Sequence, residues 1–175
     1  MPVNPSFGVF IPVKWWIESA AQVIYNVVSL QHGSFIKDEA IGDKTMLHGQ
    51  CHCGHIQYDM PAEVISHALC HCSDCRRHAG APMVGWAMLA ADLVKITGTP
   101  KVYKSSEHGR RMFCGDCGTG LFYKNDVNLP GLIDVQTGTL DEPDLLPAQK
   151  HVQTAERISW MQTVHDLPKL ARYGQ

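Results

Sequence analysis

Phe113-Cys114-Gly115-Asp116-Cys117-Gly118-Thr119 is the stretch that decides how this chain is built. Two thiols separated by two residues converge on one ion, and Gly115 and Gly118 let the backbone turn tightly beneath it. This is a zinc-knuckle turn, and it supplies half of a tetrahedral shell. The other half fits Cys51-His52-Cys53-Gly54, a Cys-x-Cys pair on a second turn. Cys51, Cys53, Cys114 and Cys117 then make a closed four-thiolate site tying the start of the domain to its middle. Metal binding at such a site is part of the folding free energy.

A third cluster lies between them, Cys70-His71-Cys72-Ser73-Asp74-Cys75. Three thiolates on one short loop form a tripod, with a fourth position open for water or a substrate thiolate, as at a catalytic zinc. The chain has seven cysteines, and four plus three accounts for all of them. The other partition stays open at this point: two clusters sharing one zinc, with the remaining cysteines buried, free or redox-active. An odd number cannot all pair within one chain, and the tight spacing argues against a disulfide framework. No secretory signal is visible, so the reading expects a reducing, cytoplasmic setting in which clustered cysteines are metal ligands. An iron–sulfur cluster fits less well, because the second cluster lacks a fourth ligand.

Three anionic ligands make zinc a weaker Lewis acid than three histidines would. The tripod therefore suits holding a thiol as thiolate better than it suits hydrolysis. Arg76 and Arg77 follow Cys75 directly and are the candidate substrate-binding residues, able to fork onto a carboxylate; the alternative is a solvated charged face. His71, between two ligands, turns its ring away from the ion by alternation and is expected around the site or at the surface. Asp74 either accepts a hydrogen bond that orders the loop or is exposed. Trp86 and Phe113 read as core aromatics.

Outside the clusters the sequence reads as mainly β. Candidate strands are 55–60, 63–69, 83–89, 93–96, 101–104, 110–113, 120–124 and 132–136, with a short piece near Val152. Residues 83–89 and 93–96 are expected to pair across an Ala-Asp turn, and 132–136 and the piece near Val152 to close the sheet. Ser73–Ala79 reads as one short helical turn. Gly and Pro punctuate the junctions, as short strands with tight turns require. Residues 1–44 hold no cysteine and carry two apolar runs; 15–30 has helical periodicity and is expected as an accessory helix. Neither run reaches the ~18–20 apolar residues of a bilayer span. Residues 45–165 are the expected zinc-binding domain and 166–175 a C-terminal tail. A formal net charge of -2 gives no reason to expect a nucleic-acid partner.

Gly49-Gln50-Cys51-His52-Cys53-Gly54, Cys70-His71-Cys72-Ser73-Asp74-Cys75-Arg76-Arg77, Gly80-Ala81-Pro82 and Phe113-Cys114-Gly115-Asp116-Cys117-Gly118-Thr119, in that order, resemble the glutathione-dependent formaldehyde-activating enzyme family, which includes the centromere protein V relatives. Gly138-Thr139-Leu140-Asp141-Glu142-Pro143, His151 and Trp160 match it as well. The resemblance implies an Mss4-like, β-sandwich-type fold of short antiparallel strands with two zinc ions. One is structural, on Cys51, Cys53, Cys114 and Cys117. The other is catalytic and prone to loss, on Cys70, Cys72 and Cys75. It implies a carbon–sulfur lyase that condenses glutathione, as co-substrate, with formaldehyde. The chain departs from the pattern in its apolar N-terminal extension and in the polar run Val152-Gln153-Thr154-Ala155-Glu156. Small thiols and aldehydes are the expected partners, and homo-oligomerisation stays open. The competing reading is a non-enzymatic zinc module that binds a protein. A methionine sulfoxide reductase-like enzyme needs a free nucleophilic cysteine outside its zinc cluster, and none is left over.

Overall fold

The computed structural model describes residues 45–173, so the helix expected over 15–30 lies outside the described residues. The architecture is mainly β, with one α-helix among the described residues. Among the described residues, ten strands form two sheets. The smaller holds β1 (Met46–Gln50), β2 (Gln57–Pro61) and β5 (Lys95–Thr97) in the order β1-β2-β5. The larger holds β3 (Ser66–Cys70), β4 (Val84–Ala90), β6 (Lys101–Lys104), β7 (Gly109–Phe113), β8 (Gly120–Asn125), β9 (Leu132–Gln136) and β10 (Lys150–Val152). Its order is β10-β3-β4-β9-β8-β7-β6. Pairing is antiparallel throughout, except that β10 runs parallel to β3.

Alternation along the strands sorts the larger sheet into two unlike faces. Ala87 and Leu89 of β4, Ile133 and Val135 of β9 and Phe122 of β8 are buried against Leu47, Tyr58 and Met60 of the smaller sheet, and this is the main core. Tyr58 meets Phe122 edge to face, with ring centroids 5.2 Å apart at 77°. The opposite face is more polar. Met88 lies opposite Asp134, Asp134 opposite Tyr123, and Tyr123 opposite Arg111, a row crossing four strands. Cys70 and Trp86 share that face and pack with Cys75 and Val84 in a second, smaller cluster.

The helix, α1 (Ser73–Ala79), covers the residues read from sequence. Cys72 caps its start, its sulfur accepting from the Cys75 N–H at 3.3 Å. Gly80 ends it at φ 63°, a left-handed position that costs glycine no steric penalty.

Two pairings differ from expectation. Residues 83–89 and 93–96 do not pair with each other. A 3-10 turn at Ala91–Leu93, anchored by Ala91 N–H to the Gly131 carbonyl at 2.9 Å, carries the chain from the larger sheet to the smaller, where β5 joins β2. Nor does β9 close the sheet; it lies in the middle, between β4 and β8. Both outcomes depend on partners remote in sequence, which local alternation does not encode. The C-terminal residues past β10 form short 3-10 turns, and Leu167, Leu170 and Tyr173 are exposed. Among the described residues, no helix is long and apolar enough to cross a membrane.

Candidate metal centres and active site

The turn after β1 and the turn between β7 and β8 meet at one end of the sandwich and bring four thiols together. The Sγ atoms of Cys51, Cys53, Cys114 and Cys117 all lie within 4.8 Å of one another. Cys51 and Cys53 sulfurs are 3.5 Å apart, and Cys53 and Cys114 sulfurs 3.7 Å. A tetrahedral shell with Zn–S bonds of about 2.3 Å places its sulfurs about 3.8 Å apart. Four converging thiols at this spacing are a donor set that suits tetrahedral zinc. Backbone bonds hold each turn: Gly54 N–H to the Cys51 carbonyl at 2.9 Å and Gly118 N–H to the Cys114 carbonyl at 3.0 Å. Thr119 joins the two turns, accepting at its hydroxyl from the His52 N–H at 3.1 Å. The same hydroxyl lies 3.2 Å from the Cys117 sulfur and is the largest cause holding that thiol down at about 5. His55 and Asp116, one from each turn, also pair across the junction.

The second cluster sits on the polar face of the larger sheet. Cys70 ends β3, Cys72 caps α1 and Cys75 lies on its first turn. Their sulfurs are again within 4.8 Å of one another. Cys70 and Cys75 are buried, while half-buried Cys72 opens the cluster to solvent. The three thiols divide their protons unequally. Cys75 is drawn down to about 5, first by the hydrogen bond from Cys70 and then, against burial, by Arg111. Cys70 and Cys72 are pushed up, Cys70 chiefly by its bond to Cys75 and Cys72 chiefly by burial. One thiolate thus forms readily, and a cation in the tripod would favour ionisation of the other two.

Arg111 is a residue of this site that the sequence reading did not single out. It is 3% exposed. Its Nη2 donates to Asp74 Oδ2 at 2.5 Å and to Cys75 Sγ at 3.6 Å. The guanidinium stands 5.0 Å from the centre of the Tyr123 ring. Asp74, left open between two roles in the sequence, is thus an exposed anchor for a buried cation. Strand parity gave no signal: Arg111 alternates with Met112, which packs against the main core, so the local pattern places the arginine on the opposite, polar face, and its burial shows only in its pairing with Asp74 and Cys75. From β9, Asp134 faces the same region; burial first, then the charge of Cys75, push its carboxyl up to about 7.

Arg76 and Arg77 line a groove of about 280 Å³ with Gly80, Pro82, Ile158 and Trp160. Arg76 Nε is engaged by the His71 carbonyl at 3.2 Å, and Arg77 is exposed. His71 is not at the surface: it is 1% exposed, with Nε2 2.9 Å from Nδ1 of His151 on the parallel strand β10. Glu156 further fastens this strap, accepting from the Ser73 N–H at 2.8 Å. A larger open cavity of about 510 Å³ lies beside the first cluster. Four sulfurs already complete a tetrahedral shell there, which leaves an ion no position for a substrate.

A two-sheet β protein with one closed and one open cluster of thiols suited to metal is the class that fold and site define. The chain belongs to the glutathione-dependent formaldehyde-activating enzyme family, whose profile matches residues 46–156. Over 75 residues it is 29% identical to an uncharacterized lyase of Schizosaccharomyces pombe, covering 43% of this chain. The chain thus spans about half, 55%, of that relative's length. A crystal structure of a Rhodobacter sphaeroides protein is similar at TM-score 0.47 and 22% identity, covering 60% of this chain and 99% of that one.

Proposed function

We propose that the chain is a zinc-dependent carbon–sulfur lyase-type enzyme acting on the adduct of a thiol and a small aldehyde, with glutathione and formaldehyde as the family's pair. The observation that carries this reading is the tripod of Cys70, Cys72 and Cys75, three converging sulfurs with one of them at the surface. Cys51, Cys53, Cys114 and Cys117 hold the structural ion in this reading, and the tripod holds the catalytic one. Bound zinc supplies a position at which a substrate thiol is held as thiolate at neutral pH.

In the synthetic direction the thiol sulfur donates its electron pair to the aldehyde carbon, forming the C–S bond. The carbonyl π pair moves to oxygen, which takes up the proton the thiol has given. No redox change occurs, and the reverse steps cleave the adduct. The chain's own residues bind and orient. Arg76 and Arg77 offer guanidinium groups to the carboxylates of a peptide thiol lying in the groove. Trp160, 51% exposed, offers an aromatic wall beside it.

Cys72→Ser tests the reading. A serine hydroxyl caps a helix at least as well as a thiol, so α1 keeps its start while the tripod loses a sulfur. Expected are one zinc fewer per chain, an unchanged fold by circular dichroism, and loss of glutathione-dependent formaldehyde consumption. Full turnover in the Cys72→Ser protein would sink the proposal.

A further inference from the structure

Arg111 is the one lysine or arginine fully buried among the described residues, and it lies against a sulfur of the tripod. Two of its nitrogens, Nε and Nη1, are buried without a hydrogen-bond partner. Such a group is costly to bury unless its charge is used. Its charge is permanent at any working pH. Asp74 shares that charge through one bond, but its side chain is 66% exposed, so water screens its contribution. The Tyr123 ring and Asp74 together fix where the guanidinium points.

Charge arithmetic at the centre gives this cation a task. A divalent ion with three thiolates carries one net negative charge, and a substrate thiolate as fourth ligand would make it two. Without compensation, that second charge is what a half-buried site resists. We propose that Arg111 is a positioning residue that holds the Cys75 sulfur and balances the three-cysteine centre, so that it accepts an anionic thiolate as its fourth ligand. The proposal rests on the reading of Cys70, Cys72 and Cys75 as a metal centre. With Arg111 in place the free centre is close to neutral, and thiolate entry takes it to one negative charge. The residue selects for sulfur anions over neutral ligands without touching the aldehyde.

The test is a spectroscopic titration of the full chain loaded with cobalt(II), whose visible bands report the sulfur ligands around each ion. Glutathione is added, and the rise of the sulfur-to-cobalt band gives its affinity, independent of turnover. Wild type should bind two cobalt ions and show the rise. Arg111→Gln should still load but bind glutathione roughly ten- to hundredfold more weakly, the range of a lost charged contact. Arg111→Lys, which keeps the charge and loses the fork, should recover much of the affinity. Asp74→Asn, which keeps a side-chain oxygen to accept from the guanidinium and removes only the counter-charge, should bind glutathione as tightly as wild type or tighter. This variant carries the test if Arg111→Gln does not fold. Wild-type affinity in Arg111→Gln, equal loss in the Gln and Lys variants, or a marked loss in Asp74→Asn would each overturn the proposal. A single cobalt ion in wild type overturns the reading of the tripod as a metal centre, and this role with it.

Discussion

Gly49→Ala should cost far more than a surface-strand glycine suggests. Gly49 is on β1, directly opposite Tyr58 on β2 and two residues before the first ligand, Cys51. A Cβ at this position would stand 2.3 Å from both Cζ and Oη of Tyr58 and 2.8 Å from the Thr139 carbonyl oxygen. The ring must therefore move by roughly an ångström or more to reach ordinary packing distances. It has nowhere to go: Tyr58 is 2% exposed, packs edge-on with Phe122, and bonds the Thr139 hydroxyl at 2.8 Å. Overpacking a filled core costs about 1–3 kcal/mol, and the hydrogen bond adds about 1 kcal/mol if broken. Alanine's smaller entropy loss returns roughly 0.5–1 kcal/mol. A net loss of about 1–3.5 kcal/mol follows, a large share of a typical domain's stability. The assay is urea unfolding of the metal-loaded protein, run as a double-mutant cycle with Tyr58→Leu, whose side chain ends short of the clash. In the Tyr58→Leu background the Gly49→Ala change should cost clearly less, with only the approach to the Thr139 carbonyl oxygen left to relieve. Near-wild-type stability of Gly49→Ala alone, or an equal loss in both backgrounds, would refute the reasoning.

Cys114→Ser should remove the closed centre and lower stability by several kcal/mol, because structural zinc contributes folding free energy directly. Chelation of wild type should approach the same state, read by metal content and by the urea midpoint. The contrast with Cys72→Ser, where the fold is expected to survive, separates the two centres. Stability should also fall on the alkaline side through Tyr58, whose hydroxyl is pushed up to about 12 chiefly by burial. The folded state keeps the proton that the unfolded chain gives up near pH 10, so the contribution is full below about pH 10 and is lost as pH rises to about 12. The slope is about 1.4 kcal/mol per pH unit at most. Tyr58→Phe should flatten it, and an unchanged slope would count against burial of the hydroxyl.

The features closest to the chain were the ones legible in sequence. Two glycines around Cys114 and Cys117 dictate a tight turn, and Ser73–Ala79 with Gly80 behind it dictates one short capped helix. The alternation of β2 and β9 marks strands because each turns one set of side chains into the core and the other away from it. Spacing and count favoured a grouping of cysteines into four and three while leaving another partition open, and the folded chain brings the same groups within 4.8 Å. Sheet order, the diversion of β5 and the central place of β9 required the whole chain, because a strand's own residues state which face is apolar but not which neighbour completes its hydrogen bonds.

The sequence by itself determined a mainly β protein with clustered thiols, the family to which it belongs, and the turns that present each sulfur. Only the tertiary structure decided what surrounds them. Arg111 reaches Cys75 across 36 residues of chain, and His151 reaches His71 across 80. Whether an arginine is a solvated charge or a buried one, and whether a histidine faces water or another ring, depends on which strands are neighbours. That is settled by the packing of two sheets rather than by any local pattern, so the electrostatics of the open centre emerged only on folding.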